Sequence, residues 1–131
     1  MKLTDKEINA ILGKNQNVRY GYSLKRIADN DCLWTLLSKE GNNILCIQGK
    51  KQKVFPIWPF KEYAEKYIQA LGEDCIAQKY SLDKFADELI DPLCENGMPI
   101  CIFPVSETDY GKIVSVNTFA EDLSVELEDY K

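Results

Sequence analysis

Val54-Phe55-Pro56-Ile57-Trp58-Pro59-Phe60 is the stretch on which the fold turns. Up to Trp58 it reads as a strand, because β-branched and aromatic side chains suit a pleated surface. Proline cannot donate to a ladder, so Pro56 predicts a strand that lies at a sheet edge or ends there. Pro59 suits the first turn of a helix. Phe60, Tyr63, Ala64, Tyr67 and Leu71 then follow at helical spacing until Gly72.

Upstream, Glu40-Gly41-Asn42-Asn43 and Lys50-Lys51 read as turns. They separate Cys32–Ser38, Ile44–Gln48 and Val54–Trp58, and connections this short predict an antiparallel meander. Two helices precede it. Thr4-x-x-Glu7 is a capping box with Leu3 and Ile8 at the staple positions. Ile8, Ile11 and Leu12 share a face, and Gly13 stops the helix. Asn15–Asn17 caps a second helix, whose apolar positions are Tyr20, Leu24, Ile27 and Ala28. Gly21 within it costs about 1 kcal/mol against alanine.

Downstream, Cys75–Tyr80 reads as a strand and Ser81 as a helix N-cap. Leu82, Phe85, Ala86, Leu89, Ile90 and Leu93 give the most regular helical stripe in the chain, with Pro92 kinking or shortening its last turn. Asn96-Gly97 ends it. Ile100–Val105 and Lys112–Val116 are strands, and Thr118-x-x-Glu121 is a second capping box opening a terminal helix. This order predicts one α+β domain over residues 1–131, a mostly antiparallel or mixed sheet of about five or six strands packed with helices. The predicted core is Leu24, Ile27, Leu36, Ile44, Val54, Phe85, Leu89, Ile102, Val114, Phe119 and Leu123.

Hydrophobic residues make up 45% of the 131 and charged residues 28%, an ordinary globular mixture. There is no histidine, which excludes His-based acid–base catalysis, Ser-His-Asp and Cys-His dyads and His-ligated metals. Cys32, Cys46, Cys75, Cys94 and Cys101 form no C-x-x-C pair and read as reduced, buried, small hydrophobes. Glycine-rich nucleotide loops are absent, and no cofactor is expected. Net charge is −5, and acidic residues concentrate after residue 53. Nucleic acid is therefore a poor partner, since phosphate affinity comes from Lys and Arg. No apolar run is long enough for a membrane span, and the polar N-terminus points to the cytoplasm.

Three residues stand out as binding candidates. Trp58, held between Ile57 and Pro59, is either an aromatic anchor at a surface or a cap on the core. Arg19, beside Tyr20 and Tyr22, can hold a carboxylate or phosphate in two bonds, or pair with an acid of the second half. Tyr63, with Phe55 and Phe60 nearby, extends either that core or a patch around Trp58. Lys50, Lys51 and Lys53 read as a solvated strand edge. Asp87, Glu88 and Asp91, like Glu73-Asp74, read as solvent-facing acids.

The Val54–Pro59 motif resembles a bacterial domain-of-unknown-function family, number 2750. Arg19-Tyr20, Trp34, Tyr63-Ala64-Glu65, Leu82-x-x-Phe85 and Ile102-Phe103-Pro104 extend the resemblance over about residues 5–129. It implies small, soluble bacterial proteins and no particular activity. The element order is also similar to domains related to the serine-sensitivity enhancing protein B, a likeness of fold that licenses no function. The reading that results is a non-catalytic cytoplasmic binding or adaptor protein, acting on a protein partner through a surface near Trp58. A small-molecule sensor or histidine-free enzyme, and a structural homo-oligomer, are the alternatives.

Overall fold

The computed structural model describes residues 4–38, 47–48, 53–71, 75–106 and 109–128. In chain order these form α1 (Asp5–Leu12), α2 (Gln16–Asn30), β1 (Cys32–Ser38), β2 (Ile47–Gln48), β3 (Lys53–Ile57) and α3 (Lys61–Leu71). Then come β4 (Cys75–Ser81), α4 (Leu82–Glu88), α5 (Ile90–Glu95), β5 (Ile100–Ile102), β6 (Lys112–Val114) and α6 (Val116–Glu128). The class is α+β, as the pattern predicts.

β1 and β4 pair antiparallel along their whole length, from Cys32 opposite Ser81 to Ser38 opposite Cys75. The other sheet runs β2-β3-β5-β6, with β3 and β5 parallel and its other pairs antiparallel. Among the described residues one backbone bridge joins the two sheets. Trp34 and Trp58 exchange both backbone hydrogen bonds, each at 2.9 Å, which ties β1 to the end of β3. The expected meander is thus corrected. β2 and β3 form the antiparallel pair, but β1 takes β4 as its partner. Leu33 and Leu36 lie on opposite faces of β1 and both are buried, as suits a strand flanked on each side.

Pro56 is the second correction. Its strand does not stop there, and β3 lies inside its sheet between β2 and β5. The Phe55 N–H donates to Pro99 O and Ile57 O accepts from Phe103 N–H, so these residues face β5. Pro56 faces the other way, beyond the Ile47–Val54 pair with β2. On that side its carbonyl accepts from the buried Thr35 hydroxyl at 2.7 Å. A missing donor is harmless where, among the described residues, no ladder carbonyl waits for it.

The long helix expected after Ser81 is two helices. The Ser81 hydroxyl accepts from Lys84 N–H, as an N-cap should. Leu89, at φ −112°, ψ −31°, then separates α4 from α5. Pro92 therefore falls in the first turn of α5, where its lost N–H is tolerated. At the other end α6 begins before Thr118, because the Ser115 hydroxyl accepts the Thr118 N–H at 3.1 Å and takes the capping role. α2 begins as predicted, with Asn15 accepting from Val18 N–H.

Leu24, Ile27, Leu36, Val54, Phe85, Leu89, Ile102, Phe119 and Leu123 are buried as predicted. Val114 is half-buried, and Ile44 lies outside the described residues. Phe85 joins Phe55 and Phe119 at ring distances of 6.4 and 6.0 Å. The inward face of α2 carries Arg19 and Ser23 in line with Ile27, all three fully or nearly fully buried. Apolar periodicity does not reveal the two polar members of that stripe.

Candidate functional site

Arg19, Trp58 and Tyr63 converge on Phe103 and Pro104, and all three are buried, at 2%, 0% and 2% exposure. The Arg19 guanidinium lies over the Phe103 ring at 5.7 Å. The Tyr63 ring packs on Phe103 at 4.5 Å. The Trp58 indole N–H donates to Pro104 O at 2.9 Å, and its ring packs on Tyr67 at 5.2 Å. Of the two readings of Trp58, anchor at a surface or cap on the core, the burial matches the cap: two prolines and the bridge to Trp34 fix the backbone so that the indole points inward.

Phe103 itself is strained. It continues the β3–β5 ladder by donating to Ile57 O, then turns the chain at φ +63°. That left-handed geometry costs a non-glycine residue about 1–3 kcal/mol. Several contacts impose it together. Trp58 holds the next carbonyl. Gly111, at φ +75°, passes so close that an added Cβ would lie 2.7 Å from Phe103 O.

Asp109 fastens the returning loop. Its carboxylate accepts from Gly111 N–H at 3.0 Å and from Arg19 Nη2 at 2.7 Å. Arg19 Nη1 donates to Lys14 O, while its Nε has no hydrogen-bond partner among the described residues. This is the structural ion pair between the halves. Its two ends differ, since Arg19 is buried and Asp109 is 42% exposed. Removing the acid strands a buried cation, whereas removing both charges does not. Asp109→Ala is expected to lose about 2–3 kcal/mol in urea unfolding, toward the low end for a broken buried pair because Asp109 is half in water. Arg19→Met/Asp109→Ala is expected to be the more stable of the two. A double variant less stable than Asp109→Ala would show that the guanidinium is not penalised by burial.

A second polar group reaches Phe103 through the Tyr22 and Tyr63 rings. Tyr22 Oη donates to Glu7 Oε2 at 2.5 Å and sits 2.9 Å from Tyr63 Oη. Arg26 Nη2 donates to Glu7 Oε1 at 3.2 Å. Burial first, then the Glu7 hydrogen bond, holds the Tyr22 phenol above its ordinary pKa, and burial does the same for Tyr63. Both stay protonated and act as donors, not as bases. Burial likewise raises the Cys101 and Cys32 thiols, so neither is an activated nucleophile.

Above Phe103 and Pro104 opens a groove of about 400 Å³ between α1, α3 and the turn after β5. Leu12, Tyr63, Tyr67, Ala70, Pro104 and Val105 give it apolar walls, and Lys66 and Gln69 are polar groups in the lining. Lys53, Asp87, Glu88 and Asp91 are exposed and apart from it. Lys50, Lys51, Glu73 and Asp74 lie outside the described residues. Among the described residues no group of three or more His, Cys, Asp or Glu side chains could hold a metal ion. No described helix is long and apolar enough to cross a membrane.

Glu7, Tyr22, Phe103, Asp109 and Gly111 were not legible as site residues. Glu7 reads as a capping residue and Phe103 as an ordinary strand aromatic. Only the Asp109-Tyr110-Gly111 spacing carries a signal, that of an Asx turn closed on a glycine. The profile of a family described as protein of unknown function (DUF2750) matches residues 20–123. No curated protein matches the chain, and no solved structure does.

Proposed function

We propose that this chain, which belongs to the DUF2750 family, is a non-catalytic binding protein of the bacterial cytoplasm. Its binding site is the groove between α1, α3 and the Pro104-Val105 wall, and its partner is an apolar segment of another protein. Arg19, Trp58 and Tyr63 serve this site from beneath, by fixing the wall, and Tyr63 also lines it.

The observation that carries the reading is Phe103. A fully buried aromatic is kept in a left-handed conformation by an indole hydrogen bond, a stacked guanidinium and a glycine crossing. A shape held at that cost is over-determined, and such strain clusters at ligand clamps and switches. Here it sets the position of Pro104 and Val105. The protonated phenols and raised thiols nearby favour recognition over chemistry.

Ala70 lines the groove and is exposed, so Ala70→Arg fills it without entering the core. A photoreactive phenylalanine at the neighbouring Gln69 identifies the partner in cells, and the purified pair is then titrated. Ala70→Arg is expected to weaken binding at least about tenfold, the equivalent of 1.4 kcal/mol. Unchanged affinity in a folded Ala70→Arg protein would place the partner elsewhere.

A further inference from the structure

Glu7 sits where a capping box would use it, and half of the box forms: Thr4 Oγ1 accepts the Glu7 N–H at 3.2 Å. Its carboxylate does not turn back to Thr4. It faces α2 and α3, where Tyr22 Oη and Arg26 Nη2 donate to its two oxygens. Proton counting fixes the rest. Tyr22 gives its one proton to Glu7, and Tyr63 therefore donates to Tyr22. Two phenols in series and a guanidinium thus converge on one anion, and hydrogen bonds to a charged acceptor are the strong ones.

The helix that delivers this carboxylate is lightly held. Ile8 is its one buried side chain. Lys14 O is pinned by Arg19, and Gly13, between Lys14 and the end of α1, is exposed. Tyr63 belongs both to the anion cluster and to the groove, and Leu12 of α1 lines the same groove. Tyr22, Arg26 and Tyr63 lie inside the family match over residues 20–123, whereas α1 precedes it.

We propose that Tyr22, Arg26 and Tyr63 form a carboxylate receptor that Glu7 occupies in cis, and that α1 is a plug displaced by an acidic amphipathic segment of a protein partner. The proposal rests on the groove reading for the apolar half of that segment. α1 displays what the receptor takes: a first turn with Asp5 and Glu7, followed by Ile8, Ile11 and Leu12. A segment of that chemistry places a carboxylate on Tyr22 and Arg26 and apolar side chains along α3.

Two probes on the full chain test it. Glu7→Ala empties the receptor and is expected to lower Tm by about 5 °C. Acetate at about 100 mM should then restore most of that loss, saturably, with chloride at equal ionic strength restoring little. Tyr22→Phe in the Glu7→Ala background should abolish the acetate effect. Equal responses to acetate and chloride would overturn the receptor. The second probe is a labelled peptide copying Thr4–Leu12. It should bind Glu7→Gln about tenfold more tightly than the unaltered chain, because the plug no longer competes. The same peptide with Gln in place of its Glu should bind neither. Equal affinity for the two chains would overturn the plug. The acetate response does not involve Ala70, so failure of the groove and failure of the receptor give different results.

Discussion

Trp58→Ala is expected to cost about 3–5 kcal/mol, the range for truncating a fully buried aromatic. A domain of this kind has a net stability of roughly 5–15 kcal/mol, so the variant should lose a large share of it. The cost has two parts that separate. The first is the cavity left beside Tyr67, since Trp58 is fully buried. The second is Pro104 O, which loses its indole donor inside the protein. Trp58→Phe keeps most of the ring volume and removes the donor. It should cost about 1–3 kcal/mol, the penalty for an unmet buried acceptor together with a smaller void. Urea unfolding measures both, and Trp34 remains in each variant as the single fluorescent reporter. A loss under about 1 kcal/mol for Trp58→Ala would contradict the burial of this ring. Trp58 alone does not locate a partner surface, because its loss damages the wall of the groove and the core together. That is why Ala70, not Trp58, is the residue that tests binding.

Local chemistry was legible in the sequence where the signal is itself local. Thr4, Asn15 and Ser81 cap the helices they are expected to cap, because a side-chain oxygen three residues before the N–H it accepts from needs no distant partner. The apolar stripe of α3 is legible for the same reason. Strand pairing is not local. β1 is close in sequence to β2, yet its partner is β4, whose seven residues match its full length. Periodicity also misleads wherever the core is polar. Arg19 and Ser23 occupy the inward face of α2, so the pattern assigned that face to Tyr20 instead. Tyr20 is half-buried and its hydroxyl donates to Asp122 of α6 at 2.5 Å. The composition of the motif around Trp58 suits an anchor or a core cap. What decides between them is Pro104, 46 residues away. Phe103 gave no warning at all, since an aromatic is among the residues least expected at positive φ.

Gly111→Ala should remove the fold outright, and it isolates the strained turn from everything else. The added Cβ would lie 2.1 Å from Ile102 O and 2.7 Å from Phe103 O. Both obstacles are backbone, so no side chain can swing aside. Ile102 O sits in β5, whose Ile102 pairs with Lys112 of β6, the residue next to Gly111. Relief therefore requires β6 to move off β5, or Phe103 to leave its conformation and release Pro104 from Trp58. Two other glycines calibrate the effect. Gly97 also has positive φ, +62°, but nothing lies within 4 Å of its added Cβ. Gly97→Ala should cost about 1–2 kcal/mol, the left-handed penalty alone. Gly21 is inside α2 with open space around it. Gly21→Ala should gain about 0.5–1 kcal/mol, because alanine is the better helix residue. One substitution at three sites thus ranges from a gain, through a modest loss, to loss of the native state. Urea midpoints order the series. If Gly111→Ala lost no more than Gly97→Ala, the crossing behind Phe103 would be loose, and the turn it pins could not hold the Pro104-Val105 wall on which the binding site depends.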